Sequence, residues 1–229
     1  MVWQFVLLAA SLSTLTIRRI FMTDTFTLPD PVMFRANIIR TLAQKRPELC
    51  DYSGRAFWPI PVMIPVVLAK CLHYVHREWF EQVCKKNYEI VSMLSLVRTG
   101  LTRLCAEGDL GEDHAGIYMR EHPTVTHMDI FSAPFFTPYS RILTLCKNAF
   151  ELLGFVYSIE AGSLEAIKAL VELRMIANGE FAKLHMTKEV EHERIAEEIR
   201  RLISCSPYLE SFNRGCQLHN LLYEEVVAK

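Results

Sequence analysis

Apolar positions along this chain recur at steps of three and four residues, the period of helices rather than strands. Phe34, Ile38, Ile39 and Leu42 lie on one side of a helical segment 34–44 that Pro47 stops. Segments 66–83 and 88–105 continue the pattern. Segment 115–122 resumes it after the acidic, glycine-containing stretch from Glu107 to Asp113, which reads as a loop or a helix interruption. The longest periodic run is 139–177, bent near Gly162. Asn178-Gly179 then signals a turn, and 180–204 and 212–227 are two further helices. Two stretches break the pattern. Residues 52–65 are rich in proline and aromatics and read as an irregular connection, and 123–138 holds three prolines and is expected to cross the surface. With no run of alternating β-branched residues and no internal repeat, the pattern predicts an all-α bundle of about seven helices.

Composition narrows the class. The 229 residues suit one large domain, and 51% of them are hydrophobic, enough for a sizeable core. With 25 basic and 26 acidic residues the net charge is −1, so no footprint for nucleic acid is present. The seven cysteines are scattered and form no CxxC pair, which fits reduced, mostly buried thiols in a cytoplasmic protein. Residues 1–21 need separate treatment. Val2 to Ile17 is apolar, but no basic region precedes it, Arg18-Arg19 follows it, and it is short for a membrane span. An upstream extension or mis-set start, a packing helix and a targeting segment are the three readings of 1–21. Residues 22–229 are expected to form a single domain, with no membrane partner.

Three features carry candidate chemistry. In LHMTKEVEHERIAEEIRRL, His185, Glu189 and His192 stand at i, i+4 and i+7, within a narrow arc of one helix face. Two imidazoles and a carboxylate there can grip a divalent metal, and nitrogen and oxygen donors without thiolate favour iron or manganese over structural zinc. The bland reading is a solvated helix, which the surrounding Glu191, Arg194, Glu198 and Arg201 also suit. Second, Glu160 shares an apolar stripe with Leu153, Val156, Tyr157, Leu164 and Ile167. A carboxylate there is costly unless it is bound to a metal or paired, for instance with Arg141 or Arg174. Third, Glu107 and His114 bracket the acidic loop EGDLGEDH. Together these features supply three carboxylates and three histidines, the stock a two-metal site in a helical bundle needs. No GxSxG, Walker loop, GxGxxG or HExxH is present. Cys146 reads as a buried structural thiol, and His73 and His76 as core or surface residues that could also line a pocket. His122, His127 and His219 carry no spacing signal.

These segments resemble the haem-oxygenase-like di-metal oxidases, which share a helical fold with haem oxygenase, the TenA thiaminases and pyrroloquinoline-quinone synthase. EGDLGEDHAGIYMREH resembles the family's first ligand segment, LLGFVYSIEAGSL its central helix, HMTKEVEH its final ligand pattern and FNRGCQLHNLLYEE its last helix. The resemblance covers roughly residues 70–229. It places metal ligands on Glu107, His114, Glu160, His185, Glu189 and His192, with Asp109, Glu112 or Asp113 as substitutes for Glu107. One departure is that Glu189 stands where the family usually has Asp.

The resemblance implies a haem-oxygenase-like bundle, two iron ions (with manganese as the substitute), and O2-dependent oxidation of a small organic substrate. Glu112, Asp113 and Glu193 are the nearby acids that could hydrogen-bond the ligand histidines. Tyr157 is expected to face the same cavity, as substrate contact, radical site or plain packing. Phe150, Phe155 and Phe135-Phe136 are the expected walls. Two other classes stand beside this one: a metal-free enzyme of the TenA or quinone-synthase type, and a non-enzymatic helical binding protein. A homodimer is the expected assembly if there is one.

Overall fold

The computed structural model describes residues 30–109 and 114–228, the side chains of 106–109 excepted. Among them are nine α-helices, two short 3-10 turns and no strand. In chain order the helices are α1 (Pro31–Lys45), α2 (Pro59–Cys84), α3 (Tyr88–Asp109), α4 (His114–Glu121), α5 (Phe136–Leu145), α6 (Ala149–Glu160), α7 (Ser163–Glu172), α8 (Glu180–Ser204) and α9 (Leu209–Ala228). Residues 1–21, treated separately above, lie outside the described residues.

Local chemistry explains where these helices begin. The Asp30 carboxylate caps α1 by accepting from Val32 N at 3.0 Å, and Pro31 takes the first helical position, where its missing N–H costs nothing. The Asn148 side chain caps α6, accepting from Phe150 N and Glu151 N, both at 2.9 Å. This cap divides the expected 139–177 helix a first time, and a turn at 161–162 divides it again near Gly162, where a bend was expected. The count therefore rises from about seven to nine.

The proline-rich stretch behaves differently from its composition. It reads as a connection, yet α2 begins at Pro59 and runs unbroken through Pro61 and Pro65. Pro59 and Pro61 fall in the first turn, where backbone N–H groups have no helical partner in any case. Only Pro65 removes an internal hydrogen bond. By length and composition α2 is the one helix among the described residues apolar enough to cross a membrane, with a mean hydropathy of 1.3. In the fold it packs against α3, α4, α5 and α6, with Val67, Cys71 and Val75 fully buried. The 123–138 segment is also less peripheral than expected. It forms a 3-10 turn at His127–Phe131, and Val125 and Phe135 are core residues.

Two helices organise the rest. α6 is buried on nearly all sides and makes its most extensive pairing with α9. There Gly154 and Gly215 let the backbones meet: a Cβ on Gly154 would stand 2.0 Å from Phe212 O, and one on Gly215 would stand 1.9 Å from Glu151 O. α8 runs against α3, α4, α6 and α7. Its start is fastened by Glu121 of α4, whose carboxylate accepts from the backbone N–H groups of Glu180 and Phe181. A carboxylate at a helix N-terminus also complements the helix dipole. None of the seven cysteines is in a disulfide.

Candidate metal centre

α6 ends with Glu160 pointing toward the middle of α8, and this sets the site. Glu160 and Glu189 are 4% and 3% exposed. His192 Nδ1 lies 3.3 Å from an oxygen of each. One ligand atom from each of the three side chains lies within 4.8 Å of the others. Two ligands held about 2.1 Å from a shared ion at tetrahedral or octahedral angles stand roughly 3.0–3.4 Å apart, which is the separation of His192 from each carboxylate.

The three side chains line a cavity of about 550 Å3. His114 and His185 line the same cavity, their rings 4.8 Å apart centre to centre. Nδ1–H of His185 donates to the Phe181 carbonyl at 2.9 Å, which leaves Nε2 as the free lone pair. Five of the six expected ligands are thus gathered on one cavity: His114, Glu160, His185, Glu189 and His192. The Glu107 side chain lies outside the described residues, as do those of Asp109, Glu112 and Asp113.

Electrostatics in this site follow from burial. Burial pushes the Glu189 carboxyl above its usual range; His192 partly offsets this and Glu160 adds to it. Burial also pushes His192 down, but its contacts with Glu160 and Glu189 outweigh that and lift it to about 11. His185 goes the other way. Burial, opposed by the Phe181 carbonyl and assisted by His114 and His192, lowers it to about 4.

A cation fits this donor set. Glu189 Oε2 is buried and accepts no hydrogen bond of good geometry. Its 3.3 Å approach to His192 is longer than the 2.7–2.9 Å or so of a charge-assisted bond. Two buried carboxylates side by side repel unless something positive sits between them. Carboxylate and imidazole donors suit iron, manganese or zinc.

Several expected neighbours are elsewhere. Tyr157 faces α9, with its ring 5.4 Å from Phe212, and does not line the cavity. Phe150 stacks on Tyr208, Phe155 packs against Tyr139 and His219, Phe135 meets Tyr223, and Phe136 meets Phe131. The walls come instead from Phe57, α2 (Ile60, Ile64, Leu68), Ile167 and Phe181. Glu193 turns toward α7 near Leu164 rather than toward a ligand histidine. Neither alternative partner reaches Glu160: Arg141 pairs with Glu225, and Arg174 lies over the Tyr52 ring. His73 and His76 sit on the exposed face of α2, against Tyr74 and Trp79.

One cavity residue escaped the sequence reading. Arg35 of α1 is 1% exposed and lines the cavity beside Glu160 and Glu189. A signal for it exists. On a helical projection Arg35 falls between Leu42 and Ile39, inside the apolar arc, where a charged residue is rare without a purpose.

No protein-family model, curated protein or solved structure matches the chain. An all-helical protein with a buried carboxylate–histidine cluster consistent with metal binding is what the fold and site establish.

Proposed function

We propose that the protein is a non-haem iron enzyme, a haem-oxygenase-like di-iron oxidase or oxygenase acting with O2 on a small organic substrate. The observation that carries this reading is the buried cluster of Glu160, Glu189 and His192 opening onto a cavity that also holds His114 and His185. Glu160, Glu189 and His192 would hold one ion. His114 and His185, with an acid from the 107–113 segment, would hold the second. When bound, ferrous ions supply O2 binding and the reducing electrons. The protein's own part is to position and to exclude. The Phe181 carbonyl fixes the His185 tautomer, leaving Nε2 as the ligand atom of a residue that lines the cavity. Phe57, Ile64, Leu68 and Phe181 line the same cavity with apolar surface, which would lower the polarity around bound substrate.

The test is anaerobic loading with ferrous iron, followed by elemental analysis and O2 uptake. About two irons per chain and O2 consumption are expected, both abolished in Glu160→Ala and His192→Ala. Iron content near zero in the wild type would refute the reading.

One observation favours a second reading. With His192 lifted to about 11, the two glutamates and a protonated imidazole form an ion cluster that needs no metal. A metal-free enzyme of the same architecture would use these groups to bind an organic substrate directly. It would show no bound iron, with substrate affinity still dependent on Glu160 and His192.

A further inference from the structure

Arg35 presents an unusual combination. It is a guanidinium 1% exposed, on the wall of the cavity, and makes no ion pair among the described residues. Its Nη1 donates to Ile159 O at 2.6 Å and to Ser163 Oγ at 3.3 Å, which pins the side chain against the end of α6. Tyr223 accepts a hydrogen bond from the guanidinium, with its ring centre 5.8 Å away. Its Nε is a buried donor with no acceptor. An always-charged group taken out of water is costly unless an anion meets it.

Two carboxylates of the same cavity, Glu189 and Glu160, act on Arg35 at a distance rather than by contact. If those carboxylates are committed to a metal, as proposed above, Arg35 loses the charge that balances it. The cavity then holds a surplus positive charge next to an open volume, and the other walls near it are apolar: Phe57, Ile60, Ile64, Leu68 and Ile167. The cavity volume of about 550 Å3 lies within the range of small-molecule sites.

We infer that Arg35 anchors the carboxylate of an amphiphilic substrate, whose apolar body lies along α2 and whose reacting atoms face the Glu160–Glu189–His192 cluster. This inference rests on the metal-binding reading. A single guanidinium matches one carboxylate in charge. A phosphate dianion would call for a second cation, and none besides Arg35 lines the cavity among the described residues once the histidines serve as ligands.

The experiment is equilibrium dialysis of the iron-loaded protein under anaerobic conditions. The probes are octanoate and 3-phenylpropanoate, each with its matched alcohol, and octyl phosphate. Iron content is measured on the same samples. The carboxylates are expected to bind at least tenfold tighter than the alcohols and tighter than octyl phosphate. Arg35→Gln should erase that preference while iron content stays at the wild-type level, and Arg35→Lys should keep part of it. If Arg35→Gln fails to fold, Arg35→Lys carries the comparison, because a carboxylate that ligates the iron also favours acid over alcohol in the wild type. Iron bound normally, with acids and alcohols bound alike, would overturn the role of Arg35 alone. Tighter binding of octyl phosphate would overturn the assignment to carboxylates. Absence of bound iron would overturn the metal reading and this inference with it.

Discussion

If the cluster binds metal as proposed, His192 is the residue through which protons and metal compete. Its two carboxylate contacts lift it to about 11, so at pH 7 the metal-free protein holds a proton on the imidazole that a metal must displace. His185, lowered to about 4, is already neutral and releases none. Metal affinity should therefore rise about tenfold per pH unit between pH 6 and 9, with one proton released per ion bound at this cluster. Calorimetric titration in buffers of different ionisation enthalpy reads that proton directly; a pH-independent affinity would contradict it. A second consequence concerns stability. Burial, assisted by Arg35, lowers His219 to about 3, and His185 is lowered to about 4. Groups depressed on folding stabilise the protein above the unfolded value near 6.5, and that contribution is lost as pH falls toward 4 and 3. The metal-free protein should lose on the order of a few kcal/mol over this window. Chemical denaturation at stepped pH should show a shallower acid limb in His219→Asn. The spacing of His185, Glu189 and His192 was legible because a helix face can be phased from its sequence. Arg35 was legible in principle, since it falls inside the apolar arc of α1. The flanking Phe34 and Ile38 pull the apparent centre of the apolar face one residue away from it.

The same limit explains the helices. α8 was read at its observed bounds because its apolar and charged sides differ and an Asn-Gly turn precedes it. α6 is apolar all round, so periodicity carries no phase there. Glu160 stood out only as an acid among apolar residues, while Tyr157, Phe150 and Phe155 were assigned to the wrong side. α2 was shortened by its prolines because composition does not say whether a proline falls in a first turn or an interior. The break at Asn148 leaves no mark in the pattern, because the hydrophobic period runs on through it. The tightest element-level constraint is the crossing of α6 and α9. A methyl at Gly154 has nowhere to go, since the obstacle is the Phe212 carbonyl and not a movable side chain. Gly154→Ala should cost at least the usual overpacking range of about 1–3 kcal/mol, read as a shift of the urea midpoint. An unchanged midpoint would mean that α6 and α9 do not cross this closely.

At the scale of the whole molecule, the site is assembled from parts that depend on each other only through folding. Glu160 comes from α6, Glu189 and His192 from α8, His114 from α4 and Arg35 from α1. Glu160 and the Glu189–His192 pair sit on different helices, with α7 between them in the chain, so a bound ion would tie together helices that otherwise meet by apolar packing. A ligand that binds only the folded form stabilises it by RT ln(1 + [L]/Kd), about 2.7 kcal/mol at one hundred times Kd. For a chain of this size that corresponds to roughly 5–11 °C in midpoint. Thermal scans with and without ferrous or cobaltous ion should show such a rise in the wild type. Glu160→Ala should abolish it by cutting the tie between α6 and α8. His73→Ala, on the exposed face of α2 and away from the cavity, should keep it in full. If the metal raised the midpoint of Glu160→Ala as much as that of the wild type, the ion would be binding elsewhere, and the convergence of α6 and α8 would serve packing alone.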